Sequence, residues 1–192
     1  MMRTFFLLLA LMLTACDLKR PAVAVHTYLP PPSASKAPQP LDTRIERFNV
    51  APAFEGKPLV WRMSETRYES DFYNEFLSPP RALLLNRTQE WFHLGDHPNP
   101  AARALYVDVL SFYGDRRNSE AVVRARFSLE GSNRFEQEYE EREIFSPVDA
   151  EGLVKALGIA YDRVLARAYA DLTVQFTGPS KSPAHASKES RK

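Results

Sequence analysis

The chain has 192 residues, of which 44% are hydrophobic and 26% charged, with 25 basic side chains against 24 acidic ones. That length and apolar content suit one domain with a proper core and exclude global disorder. The near-neutral balance excludes the basic excess that would draw the whole chain to nucleic acid or to anionic headgroups.

A short basic start, Met1-Met2-Arg3-Thr4, precedes residues 5–13, "FFLLLALML", which are apolar without a break. Nine apolar residues fall well short of the roughly 20 that cross a bilayer. A charged start, a short apolar middle and small residues at the end read as a secretory signal. Its last residues, Leu13-Thr14-Ala15-Cys16, resemble the bacterial lipobox. The resemblance implies cleavage before Cys16, lipid on its sulfur and acylation of the new amino terminus. The alternative is an ordinary signal peptide that contains a cysteine. A single acyl chain binds membranes only marginally, at roughly 0.8 kcal/mol per buried methylene, whereas several give a stable anchor. Cys16 is the only cysteine, which excludes an intramolecular disulfide.

Residues 30–40, "PPPSASKAPQP", set prolines among small residues and should be extended and stiff rather than packed. Just before them, "VHTYL" is a short strand candidate that stops at the prolines. "LDTRIERFNVAP" alternates from Leu41, with Thr43 and Ile45 on its face, and the period of two slips near Arg47, as at a bulge. "LVWRMSE" and "TRYESDF" form the next two strands. A helix follows, with Ser78 as N-cap before Pro79-Pro80, a stripe of Leu84, Thr88, Trp91 and Phe92, and Gly95 as its end.

Three further strands are expected. "ALYVDVLSFYGD" places Leu105, Val107 and Val109 on one face and Tyr106, Asp108, Leu110 and Phe112 on the other. "EAVVRARFSLEG" sets Val123, Ala125, Phe127 and Leu129 on one face against Val122, Arg124, Arg126 and Ser128 on the other, a one-sided burial typical of antiparallel sheets. The turn Gly131-Ser132-Asn133 leads to "FEQEYEEREIF", whose charge suits an edge strand or a solvated face. The last element, starting at Ser146-Pro147 or Asp149, is a long amphipathic helix carrying Leu153, Leu157, Tyr161, Val164, Leu165, Ala168 and Leu172. Gly152 and Gly158 each cost it about 1 kcal/mol against alanine. The tail from Gly178 lacks large apolar residues and holds four basic side chains against one acidic. It reads as solvated, with contact to lipid phosphates as the alternative.

The expected fold is therefore α+β, a mostly antiparallel sheet with two main helices packed on one face, preceded by a signal peptide and a Pro-rich segment. The expected organisation is a signal peptide over 1–15, and the lipidated Cys16 with its tether and Pro-rich segment over 16–40. A folded domain over 41–177, or from near 25, and a disordered tail over 178–192 complete it.

Chemistry-bearing constellations are few. His93 and His97 are four apart, but Gly95 and Pro98 interrupt the helix that would pair them on a metal, and His26 and His185 stand alone. Glu138, Glu140, Glu141 and Glu143 lie along one charged strand with Arg142, which reads as a solvated face rather than an acid–base pair. Neither G-x-S-x-G nor GxxxxGK[ST] occurs. No catalytic residue, metal or cofactor is expected. Trp61, Tyr68, Phe72, Tyr73, Phe76 and Trp91 cluster in the middle of the chain, mostly as core. Tyr73 and Phe76, just before the first helix, are the candidates for partner binding.

Together the lipobox, "HTYL" followed by prolines, "RIERFNVAPAFEGKPLVWRMSETRYESDFYNEFLSPPRALL", "ALYVDVLSFYGD" and the closing helix resemble the ABC-type transport auxiliary lipoprotein family. That family includes lipoprotein partners of MCE-domain phospholipid transport systems in Gram-negative bacteria. The resemblance spans residues 25–172 and is densest over residues 59–80. It implies a periplasm-facing lipoprotein without enzymatic activity, docking MCE-domain or permease subunits that move phospholipids or other hydrophobic molecules. A homo-oligomer is compatible with it. Asp17, directly after Cys16, resembles an inner-membrane retention signal, while family members are often outer-membrane proteins; the outer membrane is slightly favoured. The rival reading is an envelope-assembly or cell-wall-regulating lipoprotein that binds a protein and carries no lipid.

Overall fold

The structure, a computed structural model, describes residues 23–94, 101–130 and 135–177. Cys16, Asp17, Gly95, His97, the turn at 131–133 and the C-terminal tail lie outside them. The elements run β1 (His26–Tyr28), β2 (Thr43–Val50), a 3-10 turn (Pro52–Phe54), β3 (Pro58–Arg62), β4 (Tyr68–Phe76), α1 (Pro80–Trp91), β5 (Arg103–Asp115), β6 (Glu120–Leu129), β7 (Phe135–Ile144) and α2 (Ala150–Thr177). The fold is α+β, as the alternation of strand and helix patterns predicts.

Seven strands form one sheet in the order β1-β4-β3-β5-β6-β7, with β2 also on β5. It is mixed, which corrects the expectation of a mostly antiparallel sheet. β3/β4, β5/β6 and β6/β7 are antiparallel. β1/β4, β2/β5 and β3/β5 are parallel. The reason is the crossover between β4 and β5: α1 carries the chain over the sheet, and β5 then enters alongside strands running the same way. Helical periodicity reveals the crossover but not which strand receives β5. β2 borders the first half of β5, and β3 meets it only at Gly114 and Asp115.

Leu105, Val107 and Val109 of β5 stand opposite Leu129, Phe127 and Ala125 of β6, all buried under the helices. The slip expected near Arg47 is present, between Ile45 and Arg47. A second slip, between Val109 and Ser111, was not expected. It rephases β5, so Phe112 pairs with Val123 on the core face rather than joining Asp108 on the wet one. On α2 the expected stripe from Leu153 to Leu172 is buried throughout. Asp149 caps this helix, its Oδ1 accepting the Gly152 amide at 2.7 Å. A Cβ on Gly152 would sit 2.5 Å from the Pro147 carbonyl oxygen, so this start requires glycine there.

The ends of α1 differ from expectation. Pro79, not Ser78, is the N-cap, and no side chain caps the helix. At the other end His93 adopts φ 56°, and Leu94 and His93 donate their amides back to the Gln89 and Glu90 carbonyls. That left-handed closure is usually given to glycine. The His93 ring secures it by a 2.8 Å hydrogen bond between Nε2 and the Ala37 carbonyl.

Ala37 belongs to the largest departure from the sequence reading. Residues 30–40, expected to be extended and stiff rather than packed, lie with Leu41 as a strap across both helices. Arg87 Nη1 donates to the Pro31 carbonyl at 2.7 Å, and Ser33 Oγ to Asp162 Oδ2 at 2.7 Å. The Ala37 amide reaches the Trp91 carbonyl at 2.9 Å, and the Tyr169 hydroxyl accepts from the Gln39 amide at 3.2 Å. Ala37 and Leu41 are buried. Prolines lack amide donors, but their carbonyls still accept, and here the donors come from distant helices.

Beneath the strap the helices meet through polar atoms. Thr88 Oγ1 donates to the Leu84 carbonyl at 2.7 Å and accepts from the Tyr161 hydroxyl at 2.7 Å, both side chains being fully buried. Burial pushes the Tyr161 hydroxyl well above its ordinary pKa, so it remains a donor. Thr88→Val should cost about 1–3 kcal/mol, because it leaves the Tyr161 hydroxyl without a partner. Tyr161→Phe should cost about 1 kcal/mol, since Thr88 keeps the Leu84 carbonyl. Urea denaturation of both variants reads this asymmetry, and equal losses would refute it.

Candidate docking edge

β4 begins as a regular partner of β3, with Tyr68, Glu69, Ser70 and Asp71 opposite Arg62, Trp61, Val60 and Leu59. The next pair is Glu75 with Pro58, so Phe72, Tyr73 and Asn74 have no opposite residues on β3. They form a bulge, and Asp71 fixes it. Its Oδ1 accepts the Tyr73 amide at 3.1 Å, and its Oδ2 accepts Asn74 Nδ2 at 2.9 Å and Trp61 Nε1 at 3.2 Å. Asn74 Oδ1 in turn accepts the Tyr28 hydroxyl of β1 at 3.1 Å. An aspartate bonding the backbone two residues on is ordinary Asx-turn chemistry. The residue types Asp71 and Asn74 carried that signal in the sequence, at the end of what read as a plain strand and just past it.

The consequence is two aromatic rings held in solvent, Phe72 74% exposed and Tyr73 57% exposed. Phe76, expected beside Tyr73 as a partner-binding residue, is instead core. It is buried with its ring 5.6 Å from that of Phe112. β4 resumes its pairing after the bulge, which turns Phe76 inward. Beside the bulge a hollow of about 350 Å³ is lined by Trp61, Met63, Phe72, Tyr73 and Arg116, and the Arg116 guanidinium lies 4.5 Å over the Trp61 ring.

β1 continues this surface. Its parallel register sets His26 against Asn74 and Tyr28 against Phe76, and the Leu77 amide donates to the Tyr28 carbonyl at 2.8 Å. Val23 and Val25 therefore approach the bulge, and Leu29 lies beside Leu77. Of ten exposed large hydrophobic side chains among the described residues, six border this edge: Val23, Val25, Leu29, Phe72, Tyr73 and Leu77. Such clustering separates a contact surface from the scattered exposure of any protein.

The helix-free sheet face is different in kind. Arg47 pairs with Asp108, Arg124 and Arg126 with Glu138, and Arg142 with Glu120 and Glu140. Each such exposed pair contributes little to stability, but a protein covering the face meets these charges already matched. On the helix side of β7, Glu141 and Glu143 pair with Arg167 and Arg163 of α2, and Tyr139 donates to Asp171. The carboxylates of the charged strand are thus divided between two faces. β7 is an edge strand, as expected.

The groove between strap and helices holds a cavity of about 310 Å³ lined by Leu29, Pro30, Leu83, Leu84, Arg87 and Phe112. His26 lies on β1 and His93 serves the end of α1; among the described residues no group of three or more His, Cys, Asp or Glu is placed to hold a metal. No described helix is long and apolar enough to cross a membrane.

Comparison with protein-family models gives no match, and neither does comparison with curated proteins. Several solved chains are similar in fold, among them the following two. One, described as an uncharacterized protein, superposes with a TM-score of 0.65 at 15% identity, covering 78% of this chain and 99% of that one. The other is protein XCC0632 from Xanthomonas campestris, of the DUF330 family, with a TM-score of 0.62 at 16% identity and the same coverages. At such identities the likeness is one of fold: the chain shares the α+β architecture of a DUF330 protein.

Proposed function

We propose that the chain is a periplasm-facing lipoprotein, anchored through Cys16, that serves an ABC/MCE-type transport system by contact rather than turnover. The cargo class is phospholipid or another hydrophobic molecule, and the partners are MCE-domain or permease subunits. The reading draws on the resemblance of residues 25–172 to the auxiliary lipoprotein family. The observation that carries it is the bulge: Asp71 accepts three hydrogen bonds whose combined effect is to keep Phe72 and Tyr73 out of the core. The charge-paired sheet face supplies a second, polar surface for a protein subunit. The envelope is the expected location, with the outer membrane favoured and Asp17 the argument for the inner one.

Co-purification tests this. Lipidated protein extracted from native membranes in mild detergent should bring down an MCE-domain or permease subunit. Charge reversal at Arg126, whose guanidinium lies among Glu136 and Glu138 on the helix-free face, should weaken that capture. A cell-wall enzyme in place of transport subunits would overturn the transport reading in favour of envelope assembly, and substrate turnover by the purified domain alone would overturn both.

A further inference from the structure

We propose that the β1–β4 edge rests on the lipid bilayer itself, with Phe72, Tyr73 and Val25 entering the boundary between headgroups and acyl chains. This rests on the anchored reading of Cys16. The argument is one of reach and surface chemistry. Val23 is only seven positions on from Cys16, with six residues between them. At about 3.3–3.6 Å per residue such a segment spans at most roughly 25 Å, whatever path it takes. The start of β1 is therefore held near the membrane, and Val25 directly precedes His26, which pairs with Asn74 of the bulge.

The surface that this tether presents to lipid is the one that carries the exposed apolar side chains. Val23, Val25, Leu29 and Leu77 supply aliphatic area, and Phe72 and Tyr73 supply rings of the kind that suit a membrane interface. Charge does not explain the contact. The charged side chains around the bulge are of both signs and mostly engaged: Asp71 holds the bulge, Glu69 pairs with Arg67, Arg116 lies over the Trp61 ring, and Glu75 adds one more acidic group on β4. Attachment of this edge is therefore apolar and does not require anionic lipid. It fixes an orientation: β1 and the bulge lie down on the membrane, while β7 at the opposite end of the sheet points into the periplasm. The charged strand and the charge-paired face are then free for protein subunits, and the fold separates lipid contact from protein contact.

The single cysteine makes the test specific, because an acylated Cys16 sulfur cannot react with a thiol dye. Full-length lipidated protein carrying Phe72→Cys, Leu77→Cys or Ile144→Cys is labelled with a polarity-sensitive dye and placed in phosphatidylcholine vesicles containing brominated lipid. Phe72 and Ile144 are equally exposed, at 74%, and lie on opposite edges of the sheet. The dye at 72 and at 77 should shift to the blue and be quenched several-fold more than at 144. Vesicle-bound protein whose dye at 72 and 77 reports water would overturn the proposal. So would a dye shielded only in native envelopes, which would assign the edge to a protein partner. Failure of the anchor is separately visible: Cys16 itself would take the dye and the protein would not float with vesicles.

Discussion

Replacing Arg87 with alanine is expected to cost about 3–5 kcal/mol, because it strands a carboxylate between the helices and the strap. Arg87 Nε and Nη2 meet Asp162 Oδ1 and Oδ2 at 2.7 and 2.8 Å. Nη1 holds the Pro31 carbonyl, and Ser33 adds a further bond to the same carboxylate. The two side chains are only 11% and 13% exposed. Their attraction is therefore weakly screened, and an unpaired Asp162 would be poorly solvated. Lysine at 87 keeps the charge but not the planar fork, and should recover only part of the loss. Replacing both partners with apolar residues of similar size should recover much of it, because no charge is then left alone. Guanidinium denaturation measures all of these. A loss below about 1 kcal/mol for Arg87→Ala would mean that this pair does not hold the strap.

Gly114→Val should be costly for the opposite reason, too many atoms rather than too few. Gly114 is where β3 reaches β5, beside Trp61 and across from Ala121. A Cβ there would lie 2.8 and 2.9 Å from the two Leu153 methyls and 2.9 Å from Trp61 Cε3. Leu153 is fully buried and cannot swing into solvent. Overpacking of this kind costs about 1–3 kcal/mol, and valine adds two further methyls to the clash. Gly56→Ala is the control, since its new Cβ meets nothing nearer than Pro58 Cδ at 3.5 Å. Thermal melting should leave Gly56→Ala within about 0.5 kcal/mol of the parent and lower Gly114→Val clearly. Equal melting of the two would remove the close approach from the account.

Where the sequence was legible, one residue's environment was set by its near neighbours. The stripe on α2 names its buried face correctly, as does the alternation on β6 except at Val122, which was expected on the wet face and is buried opposite Tyr113. The slip in β2 shows as two apolar residues out of phase. Phe112 was misplaced because the slip at Leu110 leaves an alternation that looks regular until β6 is laid beside it. The parallel pairings escaped for the same reason, since they depend on which distant strand receives β5. The strap was misread on composition. Proline content predicts stiffness, but packing was decided by Arg87, Asp162 and Tyr169, all far along the chain. At the edge, Tyr73 was legible as a surface residue and Phe76 was not, because a bulge between them changes which face the strand presents. His93 was legible only as a histidine near a helix end, and its bond to Ala37 becomes visible once the strap is in place.

The account turns on a tether, and the mass of the mature protein reads it most directly. Protein purified from membranes should begin at Cys16 and carry the added mass of a lipidated, acylated cysteine, and Cys16→Ser should leave a precursor or release the domain from the membrane fraction. A mature chain that starts elsewhere without lipid, or a Cys16→Ser variant that is processed and membrane-bound as before, would contradict it.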